Sequence, residues 1–130
     1  MKIFLFIICI SAAVAGCKKD GLEPSGLVGT WELRHYSGTI AGVNKDVPAG
    51  NGSLLQFNVD STYKRFTDFK PGIQGRFKIV KKGVTWGDAK YDAMYFGENE
   101  SPNFVVLKAD SLIIGNTFPD GVTSLYLRTK

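Results

Sequence analysis

Ser53-Leu54-Leu55-Gln56-Phe57-Asn58-Val59-Asp60-Ser61-Thr62-Tyr63-Lys64-Arg65-Phe66-Thr67-Asp68-Phe69 is the stretch whose reading decides the fold. Side chains of an extended chain point alternately to opposite faces, so Leu55, Phe57 and Val59 fall on one side of a strand over 53–59. Asp60-Ser61 suits a tight turn, because short polar side chains bond their own backbone there. A second run rich in strand formers follows over 62–69. Two such runs joined by so short a link predict an antiparallel hairpin.

The same grammar extends in both directions. Upstream, 29–40 reads as a strand with Trp31, Leu33 and His35 on one face. Downstream, Lys70-Pro71-Gly72 is expected to turn the chain into a strand over 73–81, with Gly75, Phe77 and Ile79 sharing a face. Residues 82–89 can extend that strand, cross a loop or start the next. Further strands are expected over 90–96, 104–108, 112–117 and 122–129, with turns at Asp110-Ser111 and Pro119-Asp120-Gly121. Fifteen glycines and frequent turn signals agree with an all-β chain. Eight strands with short links favour an up-and-down antiparallel arrangement. Closing it into a barrel removes two exposed sheet edges. A β-sandwich is the alternative.

The N-terminus has a different character. Met1-Lys2 is followed by an apolar run over 3–10 and by small residues over 11–16. That order is the layout of a secretory signal peptide, and the run is too short to span a bilayer, which takes about 20 apolar residues. Val14-Ala15-Gly16-Cys17 resembles the lipobox of bacterial lipoproteins, in which the cysteine becomes the first residue and takes diacylglycerol on its thiol. Ala13-Val14-Ala15 also suits an ordinary small-residue cleavage. The resemblance implies lipidation at Cys17, a membrane anchor of two or three acyl chains (palmitate among them), and residence in the cell envelope. Lys18, where an Asp commonly signals inner-membrane retention, points to the outer membrane, facing periplasm or surface. The expected organisation is therefore a signal peptide over 1–16, a lipidated flexible tether over 17–26 and one domain over 27–130.

Charge and cysteine content narrow the function. Only Lys2 of the 16 basic side chains lies in the leader, so the mature chain keeps a mild positive excess over 12 acidic ones. Its basic residues are scattered, unlike the dense patch that nucleic-acid binding requires. Cys9 leaves with the leader and Cys17 is committed to lipid. The domain must hold together by packing, without disulfide or thiol chemistry.

Leu27-Val28-Gly29-Thr30-Trp31-Glu32-Leu33 looks like the first strand of a lipocalin barrel, which carries G-x-W, and Tyr126-Leu127-Arg128 looks like the last. Phe57-x-x-Asp60-Ser61-Thr62-Tyr63 and Gly75-x-Phe77-x-Ile79 are similar to small lipocalin-like domains of bacterial envelope lipoproteins. The resemblance implies that Arg128 lies across the Trp31 ring and closes one end of the barrel. An eight-stranded barrel is just wide enough to be filled by side chains or to hold one small ligand. Phe57, Tyr63, Phe77, Tyr95 and Tyr126 are the expected lining of any pocket, with Leu55, Ile79, Leu112 and Ile114 also inward. So bulky a set predicts a filled interior more readily than an open one.

Catalysis finds little footing. His35 is the single histidine and no G-x-S-x-G elbow is present. Without thiols, one histidine cannot make a zinc site alone. The acidic residues, Asp88 with Asp92 and Glu98 with Glu100 among them, read as solvated. Asp60-Ser61-Thr62 and Asp110-Ser111-Leu112 resemble a bacterial O-glycosylation motif but equally suit short turns, and Asn51-Gly52-Ser53 and Asn99-Glu100-Ser101 match the N-glycosylation pattern. The expectation is a monomeric, non-enzymatic, lipid-anchored barrel without cofactor or metal, binding a small hydrophobic molecule or an envelope partner. The alternative is an interaction module with a filled core that meets protein or glycan through its loops.

Overall fold

The computed structural model describes residues 22–38 and 42–129. The leader, Cys17 and residues 18–21 of the tether lie outside them. Among the described residues there are nine strands: β1 Gly29–Gly38, β2 Val43–Asp46, β3 Leu54–Phe57, β4 Thr62–Thr67, β5 Lys70–Trp86, β6 Ala89–Phe96, β7 Asn103–Lys108, β8 Ser111–Asn116 and β9 Val122–Arg128. A single helical turn, α1 Pro24–Leu27, precedes them.

The chain is all-β, and eight of its strands form a closed antiparallel barrel. Starting from β1, the strands run β3 to β9 in order, each beside the last, and β9 returns to pair with β1. Trp31 sits opposite Arg128 in that closing seam, and Gly38 opposite Val122. This closure leaves no place for the sandwich. The ninth strand, β2, is an addition: β3 pairs with β1 over Gly29–Glu32, and β2 takes the same edge over His35–Gly38.

The interior follows from strand alternation. Trp31, Leu55, Phe57, Tyr63, Phe77, Met94, Phe96, Leu112, Ile114 and Tyr126 are buried in one cluster. Each comes from the inward face of its strand, and opposite partners such as Phe57 with Tyr63 and Phe77 with Phe96 pair directly across the sheet. Leu33 and Ile79 pack against the cluster's margin.

Several sequence expectations need correction. His35 does not share a face with Trp31 and Leu33. A β-bulge at Arg34 moves the register from Leu33 opposite Tyr126 to His35 opposite Leu125, and one extra residue sends the next side chain to the other face. Val59 does not extend the inward face of β3; it lies in the turn and is 87% exposed. The β4–β5 turn is Asp68-Phe69, both at positive φ, while Lys70, Pro71 and Gly72 already belong to β5. Of the alternatives left open for 82–89, extension holds for residues 82–86, which continue β5 past an irregularity between Val80 and Val84 where Lys82 takes φ +51°. The seventh link turns at Ala109-Asp110, with Ser111 already in β8. Finally, residues 22–26 are not free tether. Leu22 is buried, and α1 packs at the barrel end where β1 begins.

Candidate functional site

Two ends and one side of the barrel carry the informative side chains. At the end where β1 starts, Trp31 is fully buried and donates its indole N–H to the Leu27 carbonyl at 2.8 Å. The Arg128 guanidinium lies 4.2 Å from the Trp31 ring centroid. It donates to the Val28 carbonyl at 2.8 Å and the Gly26 carbonyl at 2.7 Å. Gly29 makes this possible: its φ is +133°, and a Cβ there would come within 2.7 Å of Arg128 Nη1. One cation thus ties the last strand to the chain that leads into the first.

Aromatic rings fill the interior behind that closure. Phe57 meets Phe77 edge-on at 4.9 Å and Phe96 at 6.3 Å, and Tyr63 meets Phe96 at 4.8 Å. Arg65, on β4, holds its guanidinium 4.7 Å from the Phe96 ring. Of the residues expected to line a pocket, Phe57, Tyr63, Phe77 and Tyr126 are brought together in this core. Tyr95 is not among them: it lies opposite Lys78 on the outward face, with the Lys78 ammonium 4.8 Å from its ring. Met94 and Phe96, its neighbours in β6, face inward instead.

The far end looks different. Phe69 in the β4–β5 turn, Ile73 on β5, Phe118 in the β8–β9 loop, and Val122 at the start of β9 are all exposed there. Asn116 Oδ1 is buried beside this rim and has no hydrogen-bond partner.

The side of the barrel holds a feature no sequence pattern indicated. β6 and β7 pair only through Asp92–Met94 with Asn103–Val105. Toward the closed end they part, β6 staying with β5 down to Ala89 and β7 with β8 down to Lys108. The departing β5–β6 hairpin lays Trp86 against Phe104, stacked at 5.6 Å, with Tyr91 also 5.6 Å away. Gly115 gives Phe104 its seat, since a Cβ there would fall 2.4 Å from the ring. The N-terminal segment fills the resulting gap. Leu22 N–H donates to Asp92 Oδ2 at 2.5 Å, and Lys82 N–H donates to Asp92 Oδ1 at 2.9 Å. Asp92, expected to be solvated, is instead 8% exposed and answers two backbone amides. Glu23 accepts from Lys81 at 2.7 Å and raises the Lys81 pKa above the ordinary lysine value. What remains open is a groove of about 670 Å³, bordered by Leu22, Tyr91, Leu107 and the lysines 82, 90 and 108.

The remaining candidates serve turns and edges. His35 Nδ1 contacts the exposed Asp46 carboxylate at 2.7 Å, fastening β2 to β1. Asn51 donates to the Leu33 and Pro48 carbonyls and accepts from Ser53 N–H, so its amide is used to shape the loop before β3. The Thr62 hydroxyl bonds the Asp60 carboxylate and holds its pKa below the usual range. Among the described residues no group of three potential metal ligands comes together. Cys17 lies outside the described residues. Comparison of the chain with protein-family models, with curated proteins and with solved structures gave no match.

Proposed function

We propose that this chain is a lipid-anchored envelope protein of bacterial type, held by lipid on Cys17, and that its lipocalin-like barrel acts as a non-enzymatic interaction module. The observation that carries this reading is the ring packing of Phe57, Tyr63, Phe77 and Phe96 across the interior. A hydrophobic ligand entering there must displace side chains already in mutual contact, losing dispersion contacts that close packing supplies. The surface is then where recognition is made. Phe69 and Phe118, exposed on loops of the far rim, are suited to a protein partner or to stacking on a glycan.

Native mass spectrometry of protein purified from its own host tests the reading. The expected mass is the chain from Cys17 with its acyl groups and no further molecule bound. One hydrophobe retained per barrel would overturn the filled-core reading in favour of small-molecule carriage. An unmodified chain beginning elsewhere than Cys17 would overturn the anchor. Cys17→Ala is expected to yield a folded domain that is no longer membrane-bound.

A further inference from the structure

We propose that the groove beside Asp92 rests on the membrane and binds the anionic headgroups of the bilayer that holds the lipid anchor. This inference builds on the proposed lipidation of Cys17. Lys82, Lys90 and Lys108 are exposed around one groove, while the ion pairs among the described residues engage His35, Lys81 and Arg128. The two acids that line the groove are already engaged: Glu23 holds Lys81, and both oxygens of Asp92 accept backbone N–H groups. Three exposed ammonium groups therefore border the groove, with its two lining acids turned to other partners.

Chain length supplies the occupant. Leu22 lines the groove, and only four residues lie between it and Cys17. Fully extended, the five steps from Cys17 to Leu22 reach about 17 Å, so a lipid on Cys17 keeps the groove that close to the bilayer. Lys18 and Lys19 lie in this same short link. Each lysine near an anionic membrane surface strengthens association about fivefold, so three together act about a hundredfold. The headgroup phosphate matches the ammonium in charge, and Tyr91 and Leu107 border the groove on its apolar side. The attachment is electrostatic and fades with salt, as the screening length falls to about 3 Å at 1 M.

The test uses the native full chain, added to preformed vesicles of phosphatidylcholine with or without phosphatidylglycerol. A membrane-impermeant amine-acylating reagent is applied and labelling is read lysine by lysine by mass spectrometry. Labelling of Lys82, Lys90 and Lys108 is expected to fall about fivefold in the anionic vesicles and to recover at high salt. Lys45 and Lys70, at the far end, are expected to label alike in both. Equal labelling of the groove lysines in the two vesicle types overturns the proposal. Protection by inorganic phosphate without vesicles also overturns it, assigning the groove to a soluble anion. The intact mass of the same preparation judges the anchor separately: a chain lacking lipid defeats that reading, while the protection pattern still decides this one.

Discussion

The two ends of the barrel are built on opposite terms. Where β1 starts, polar groups are answered: Trp31 bonds the Leu27 carbonyl, and Arg128 bonds the Gly26 and Val28 carbonyls across the indole face. At the far rim, Phe69 and Phe118 stand in solvent and Asn116 Oδ1 has no partner. Burial without pairing is costly and pairing without burial contributes little, so the closed end is where stability concentrates. The rim contributes less to holding the fold and is correspondingly freer to vary. A rigid closed end carrying adjustable loops is a common way to separate scaffold from recognition.

The contrast can be broken by substitution. Trp31→Ala should cost about 3–5 kcal/mol in urea unfolding, the usual loss for a large buried aromatic. Phe118→Ala at the rim should stay within about 0.5 kcal/mol. Comparable losses at the two sites would erase the distinction. Arg128→Ala removes the cation–π contact and both carbonyl bonds, and should lower stability by about 2–4 kcal/mol. Arg128→Lys should recover only part of this, because one ammonium lacks the fork that reaches two carbonyls. An unchanged melting temperature for Arg128→Ala would remove the guanidinium from the account of closure.

Asp92→Ala strands two amides and should cost about 2 kcal/mol. Its signature is local: hydrogen exchange should quicken at the Leu22 and Lys82 amides and hold steady in the Phe57 strand. The smallest effect belongs to the exposed Glu23–Lys81 pair. Because Glu23 raises the Lys81 pKa in the folded chain, the pair's contribution is complete below the unfolded lysine pKa. It disappears as pH climbs through the folded one. The melting curves of the native chain and Glu23→Gln should differ slightly near neutrality and converge in alkali. A gap that persists at high pH would mean the pair is not its cause.

Much of the barrel was legible because its strands obey a period of two. Phe57 and Phe77 are placed inward by that alternation and lie in the core with Tyr63 and Tyr126, whereas Tyr95, expected with them, is one residue out of phase between the inward Met94 and Phe96. Other failures come where a single residue breaks the period. The extra residue at Arg34 reverses His35, and no composition signal marks it. The β4–β5 turn misled for a related reason. Asp68 and Phe69 adopt positive φ without a glycine, while Pro71-Gly72 offers a strong turn signal from within a strand. Asp92 was hidden more deeply. Its partners are the amides of Leu22 and Lys82, 70 and 10 residues away, and a charge surrounded by strand residues reads as solvated until those amides are placed. Leu22 itself was an isolated apolar residue in a charged stretch; its burial depends on β6 and β7 parting.

The seam between β1 and β9 has a consequence in time. Trp31 finds Arg128 only after nearly a hundred intervening residues have been made and arranged. A chain emerging from its N-terminus therefore carries β1 for most of its synthesis with one edge unmatched. Pairings so distant in sequence form late and slowly, commonly in milliseconds to seconds. Closure is a terminal event, and a chain stopped before Val122 would present two open edges, each a template for another copy.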